Sequence, residues 1–175
     1  MPRKLALVLL MAMLGCRAER IGAAPAPRGE EPAASHPAEQ QPAGEPTHMA
    51  WGDKITWRSW DAAQASARSE GKSIGVVVYA EWCGRCKELA PVFASPEVAS
   101  AAAGLAMVRQ DQDKPAPWLH EQLGGYGSYV PRVLFLSPDG KVREDLTSGH
   151  PRYPHFYAPM VMDQLVANMR AASAR

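Results

Sequence analysis

Apolar and polar positions along residues 51–175 fall into blocks whose period changes from strand-like to helix-like and back. Ser73 to Ala80 (SIGVVVYA) is a Val-rich apolar run of strand length, which predicts a buried strand. Ahead of it, Asp61 to Glu70 reads as a helix stopped by Gly71. Behind it, Cys83 opens a helix that Glu88, Leu89, Val92 and Phe93 carry to about Ala94, with a kink predicted at Pro91. Ser95-Pro96-Glu97 supplies an N-cap and a proline at the first helical position, starting a short helix through Ala103. Leu105 to Asp111 predicts a strand and Pro117 to Leu123 a short helix. Arg132 to Leu136 and Lys141 to Asp145 predict two strands joined as a hairpin by the turn Ser137-Pro138-Asp139-Gly140. Pro159 to Ala172 predicts a closing amphipathic helix with Val161, Leu165, Val166 and Met169 on one side. This order predicts an α/β fold, a central mixed sheet flanked by helices, in one domain over residues 51–175.

The first fifty residues follow other rules. Arg3 and Lys4 precede the ten-residue apolar run Leu5 to Leu14, about half of what spans a bilayer, so residues 1–15 read as a signal peptide. Met13-Leu14-Gly15-Cys16 resembles a bacterial lipobox, with Met13 where Leu is usual. That resemblance implies lipidation of Cys16, the alternative being an ordinary secretory signal that contains a cysteine. Residues 16–50 then form the attachment site and an Ala/Pro-rich tether. From Arg17 to Ala50 the chain has six prolines and too little apolar surface to offset chain entropy. Fully extended, that stretch reaches on the order of 110 Å. His36 and His48 read as solvated tether residues.

Charge narrows the function. Residues 51–175 hold 14 Lys and Arg against 13 Asp and Glu, which leaves no basic field for nucleic acid. No phosphate-binding glycine loop and no internal repeat is present. The chemistry lies in Cys83-Gly84-Arg85-Cys86, two thiols one helical turn apart at a strand-to-helix junction. Unpaired backbone N–H groups and the positive end of the helix dipole favour a thiolate at such a position, and the second thiol closes reversibly on the first. A static disulfide and half of a zinc or copper site are the alternatives. Zinc needs four ligands, and the histidines show no spacing that completes a site with this pair. Lys87, not His, follows Cys86, which disfavours haem attachment. Neither a metal nor another cofactor is expected. Cys83 is expected to attack from an exposed helix start, with Cys86 more buried and resolving.

The strand, Trp82-Cys83-Gly84-Arg85-Cys86-Lys87, the kinked helix, the late Pro131 before a strand, the hairpin and the final helix resemble the thioredoxin superfamily. Within it, the domain is similar to the small thioredoxin-domain proteins of the endoplasmic reticulum, the anterior-gradient relatives. The shared segments are Trp51-Gly52-Asp53 with Ile55-Thr56-Trp57, then Tyr129-Val130-Pro131-Arg132-Val133-Leu134-Phe135-Leu136, and Pro151-Arg152-Tyr153 with Phe156-Tyr157. A bacterial-type lipoprotein signal departs from those relatives and implies a cell-envelope setting.

The resemblance assigns further roles. It implies a cis bond before Pro131, with Val130 and Pro131 pairing an extended client segment and Arg132 adding positive charge at the rim. Thioredoxin-like reductases usually carry proline where Arg85 stands. A guanidinium there, with Lys87 and beside Gly84, is expected to stabilise the Cys83 thiolate and make the couple more oxidising. The expected potential lies above thioredoxin's roughly −270 mV, nearer the isomerase region of about −180 mV; the alternative is a solvated surface arginine. Thioredoxin also has a buried acid where this chain has Val77, which implies slower resolution and longer-lived mixed disulfides; Glu81 lies too near the surface end to replace it. Trp82 reads equally as a substrate platform or as core. Tyr126, Tyr129, Tyr153, Phe156 and Tyr157 read mainly as core, and His120, His150 and His155 as surface or loop residues.

These readings lead to a membrane-tethered thiol–disulfide oxidoreductase leaning towards oxidase or isomerase. Its expected partners are exported cysteine-containing proteins and a membrane or periplasmic redox protein. Its expected location is the periplasm-facing side of a bacterial envelope, with the outer membrane slightly favoured because Arg17, not Asp, follows Cys16. Two alternatives remain: a client-trapping, chaperone-like module, and a reductant for cytochrome or metal-site maturation.

Overall fold

The computed structural model describes residues 49–114 and 116–174. The signal peptide, Cys16 and nearly all of the tether lie outside the described residues. Nine helices and strands organise the described part. They are β1 (Trp57–Arg58), α1 (Trp60–Glu70), β2 (Ile74–Tyr79), α2 (Gly84–Leu89), α3 (Pro96–Ala102), β3 (Ala106–Asp111), α4 (Pro117–Leu123), β4 (Arg132–Leu136) and α5 (Met162–Ser173). The sheet order is β1-β3-β2-β4. β3 runs parallel to both β1 and β2, and β4 runs antiparallel to β2. This is the expected mixed sheet.

All six residues of β2 are buried, because helices cover both faces of the sheet. Val76 and Val78 pack with Trp60, Ala63, Leu134 and Leu123 on the α1/α4 side. Val77 and Tyr79 pack with Leu89, Phe93, Met107 and Leu165 on the other, the side that also holds Cys83 and Cys86. Strand alternation alone divides these two cores. Met49, ahead of the expected boundary at 51, is buried in the second of them.

Local signals placed several ends correctly. Gly71 caps α1 at φ 66° and Ser95 Oγ accepts the Val98 N–H at 3.3 Å to start α3. Pro91 does not merely kink the α2 helix. It falls in a 3-10 segment, Ala90–Ala94, that takes over after Leu89. The closing helix likewise opens with a 3-10 turn, Pro159–Val161, before α5. Leu165, Val166 and Met169 are buried as expected, while Val161 is only partly so.

Two differences stand out. β1, only two residues long, was not expected; it exists because Trp57 and Arg58 pair with Met107 and Val108 at the sheet edge. The second hairpin strand does not form. A single bridge joins Leu136 and Val142, although Ser137 N–H still donates to the Lys141 carbonyl and Arg143 N–H to the Phe135 carbonyl. Around Val142 the segment is charged, and Arg143 turns to pair with Asp145 at 2.8 Å, so too little apolar surface holds it as a strand.

Candidate redox site

Cys83 occupies the N-cap of α2 in an extended conformation (φ −78°, ψ 111°). Its sulfur accepts the Cys86 N–H at 3.1 Å, so a backbone donor of the helix start already points at this sulfur. The Cys83 thiol in turn donates to the Val130 carbonyl at 3.7 Å. The Val130–Pro131 bond is cis, as the resemblance implied. Cys83 is 5% exposed and Cys86 is fully buried, both as free thiols. The expected order of burial holds, but the exposed setting expected for Cys83 does not. Tyr79, Ala80, Leu89 and Phe93 share its core, and its sulfur is turned towards the Val130 segment.

Burial pushes the Cys86 thiol up to about 12, aided by its hydrogen bond with the Cys83 sulfur and by the charges of Cys83 and Asp111. Sequence reading missed Asp111. It ends β3 beside Tyr79, is buried, and accepts the Asp113 N–H at 3.1 Å. Val77, where thioredoxin has an acid, is fully buried opposite Arg109 and Val133. Asp111 is thus a buried carboxylate on this sheet, one strand away, and its charge raises the Cys86 thiol.

Trp82 is 67% exposed, so it is not a core residue. Its indole N–H donates to Asp113 Oδ2 at 2.6 Å. Gly84 is exposed with open space where a Cβ would stand. Arg85 Nη1 lies 2.7 Å from Glu88 Oε2, both side chains being largely exposed, and Lys87 is exposed. The Arg85 charge is therefore shared with a carboxylate and screened by solvent, which weakens the tuning expected of it.

Arg132 needs the clearest correction. It was expected at the rim and is 4% exposed. β4 is covered on one side by β2 and on the other by the loop at His155, whose carbonyl accepts the Val133 N–H at 2.8 Å. The guanidinium lies over the Tyr129 ring at 6.0 Å. Burial lowers its pKa below the ordinary arginine value, partly opposed by Tyr129. His155 is also buried, in a loop rather than at the surface, and its pKa is lowered by burial and by Arg132. Of the five aromatic residues read as core, only Tyr157 is fully so; Tyr126, Tyr129 and Phe156 are partly buried and Tyr153 is exposed. The Tyr129 hydroxyl accepts the His155 N–H at 3.0 Å.

The geometry suits dithiol–disulfide exchange: a nearly buried sulfur with a backbone donor on it, a second thiol behind it, and a flanking main-chain segment. Among the described residues no group of three or more His, Cys, Asp or Glu is placed to hold a metal ion.

The comparisons with known proteins agree with this architecture. The family model for thioredoxin-like proteins matches residues 56–138. Anterior gradient protein 3 of Xenopus tropicalis is 31% identical over 127 residues, covering 70% of this chain and 74% of that protein. Human anterior gradient protein 2 homolog is 27% identical over 127 residues, covering 70% and 69%. Among solved structures, a thioredoxin from Thermus thermophilus superposes with a TM-score of 0.53 at 15% identity, covering 67% of this chain and 86% of that one. A disulphide isomerase from Xylella fastidiosa Temecula1 gives 0.50 at 20% identity, covering 62% and 86%. The chain belongs to the thioredoxin-like family, among the relatives of the anterior gradient proteins.

Proposed function

We propose that this protein is a thiol–disulfide oxidoreductase that works on exported proteins through Cys83 and Cys86, tethered to the cell envelope by a lipid on Cys16. The observation that carries the activity is the Cys86 N–H donated to the Cys83 sulfur at 3.1 Å with the Val130 carbonyl on its other side. A client strand laid along Val130 and Pro131 brings its own sulfur to Cys83. In the reducing direction the Cys83 thiolate attacks one sulfur of a client disulfide, and the other leaves as thiolate. Cys86 then loses its proton and attacks Cys83, forming the Cys83–Cys86 disulfide and releasing the reduced client. Oxidation and isomerisation run the same steps backwards or in part.

Expressing Cys86→Ala and Cys83→Ala variants tests the assignment. Cys86→Ala accumulates mixed disulfides with client proteins on non-reducing gels, and Cys83→Ala does not; equal trapping by both contradicts the roles. For the anchor, Cys16→Ser abolishes lipid labelling and membrane association, since no helix among the described residues is long and apolar enough to cross a membrane. A Cys16→Ser protein still in the membrane fraction refutes the tether.

One observation favours a second reading, the client trap. A resolving thiol held near 12 is almost wholly protonated at neutral pH, so it attacks slowly and lengthens the life of the mixed disulfide. Wild-type protein that forms mixed disulfides yet shows no multiple turnover would select this reading over catalysis.

A further inference from the structure

Beside the redox site, on the α4 face of the sheet, lies a pocket of about 530 Å³. Arg132 lines it with the loop after β3 (Asp113, Lys114), His120 of α4, and the Gly127–Ser128 segment. Arg132 is 96% buried, and its Nε and Nη1 have no hydrogen-bond partner. Buried donors are almost always satisfied, and a buried charge without a counter-charge is costly. No carboxylate of the described residues pairs with this guanidinium. The Asp113 carboxylate at the pocket edge receives the Trp82 indole. The Tyr129 ring holds the guanidinium from one side at 6.0 Å. The structure therefore presents a solvent-shielded cation with two unpartnered donors in the lining of a cavity whose wall also carries Lys114, His120 and Ser128.

The position of the pocket gives it a use. Arg132 directly follows Pro131, and the preceding Val130 carbonyl accepts the Cys83 thiol. Asp113, which also lines the pocket, holds Trp82, which directly precedes Cys83. Two residues of the lining, Arg132 and Asp113, are thus joined to the two segments next to the Cys83 sulfur. We propose that this pocket is a carboxylate subsite, taking an acidic side chain of the client segment that flanks the exchanging cysteine. This rests on the oxidoreductase reading of Cys83 and names the class of client it prefers. Recognition is charge-assisted, through the guanidinium donors that are otherwise idle.

Disulfide-linked peptides test it on the full-length protein. One set carries Glu at successive positions on either side of the cysteine, with an amidated C-terminus. A second replaces Glu by Gln, and a third keeps Gln but leaves the C-terminal carboxylate free. The expected result is a second-order exchange rate about tenfold higher for at least one Glu peptide than for its Gln counterpart. The ratio falls towards one in Arg132→Gln, is partly kept in Arg132→Lys, and shrinks as salt is raised. Equal rates for all Glu and Gln amides in the wild type overturn the subsite, as does a preference shown only by the free C-terminus.

Should Arg132→Gln fail to fold, the wild-type ratios decide alone. Binding is read separately by tryptophan fluorescence with cysteine-free Glu and Gln peptides, where tighter binding of Glu supports the subsite and equal binding opposes it. If no peptide exchanges at all, the oxidoreductase reading fails, and the fluorescence titration still judges the pocket.

Discussion

The indole N–H of Trp82 is donated to Asp113 Oδ2 at 2.6 Å, across 31 residues of sequence. It ties the residue before Cys83 to the loop after β3 and holds a 67% exposed ring in one orientation. An exposed hydrogen bond of this kind contributes about 1 kcal/mol or less to stability. On the proposed reading of the site, its larger effect is to fix a wall for the client. Asp113→Ala is expected to raise the KM for peptide disulfides several-fold with kcat little changed, measured by steady-state kinetics. A fall in kcat at constant KM would show that Trp82 does not act through client binding.

The raised pKa of Cys86 makes the reduced protein sensitive to alkali. Folding raises the thiol from its ordinary 9.0 to about 12. The folded chain therefore keeps a proton that the unfolded chain releases first. The stabilisation is complete below pH 9, declines as pH rises through that value, and is gone once pH passes the folded pKa. The decline approaches about 1.4 kcal/mol per pH unit above the unfolded pKa. Tyr157, buried and also raised to about 12, adds a similar loss that starts near its ordinary 10.0. Denaturant unfolding of the reduced protein between pH 8 and 11 should show a steeper loss than Cys86→Ala, which retains the contributions of the raised tyrosines Tyr126, Tyr129 and Tyr157. Parallel slopes for the two proteins would contradict the assignment.

Arg85 tests how far local charge sets the redox poise. Read from sequence, a cation between the cysteines is expected to lift the couple above thioredoxin's roughly −270 mV. The structure instead joins it to Glu88 at 2.7 Å, with 65% and 50% of the two side chains exposed. Exposed pairs of this geometry are screened and weak. Arg85→Gln is expected to move the Cys83/Cys86 potential by less than about 15 mV, towards more reducing values. Glu88→Gln should move it the opposite way by a similar amount, and both shifts should vanish at high salt. Equilibration with glutathione measures each; a shift above about 30 mV for Arg85→Gln would restore the cation to a leading role.

What the sequence made legible is what local chemistry dictates. The apolar run of β2, the Ser95 cap with Pro96, the stop at Gly71 and the spacing of Cys83 and Cys86 each act within a few residues. β1 was not legible, because nothing in Trp57–Arg58 marks a strand until β3 lies beside it. Lys141 to Asp145 carried a strong turn signal before it, yet only Val142 bridges back to Leu136. The site divided along the same line. The sulfurs and the cis bond were legible, the latter through family resemblance, whereas Arg132 was read as a rim charge. Its burial depends on the His155 loop closing over β4, a contact between residues far apart in the chain. Asp111 and Asp113 were missed because a strand end and its following loop look ordinary until Trp82 and Cys86 are set above them.

Gly52 gives a separate test of how the core beneath the redox helix is closed. Trp51 is 2% exposed and packs against Trp57, Tyr79 and Phe93, with ring centroids 6.4, 5.1 and 5.6 Å away. The next residue, Gly52, turns the chain at φ 83°, and a Cβ there would run into the Phe93 carbonyl. The obstacle is backbone, in the 3-10 segment that continues the redox helix, so it does not yield as a flexible side chain would. Gly52→Ala therefore combines a left-handed conformation with a steric clash, and a loss of about 2–4 kcal/mol is expected. Gly71→Ala separates the two effects: φ is 66° but nothing lies within 4 Å of the added Cβ, so about 1 kcal/mol is expected. Gly84→Ala has neither penalty and should be close to neutral. Denaturant midpoints of the three variants should therefore fall in the order Gly52, Gly71, Gly84, with Gly52→Ala lowest. Equal losses at Gly52 and Gly71 would show that the Phe93 backbone gives way, and that the fit of Trp51 does not hold the redox helix in place.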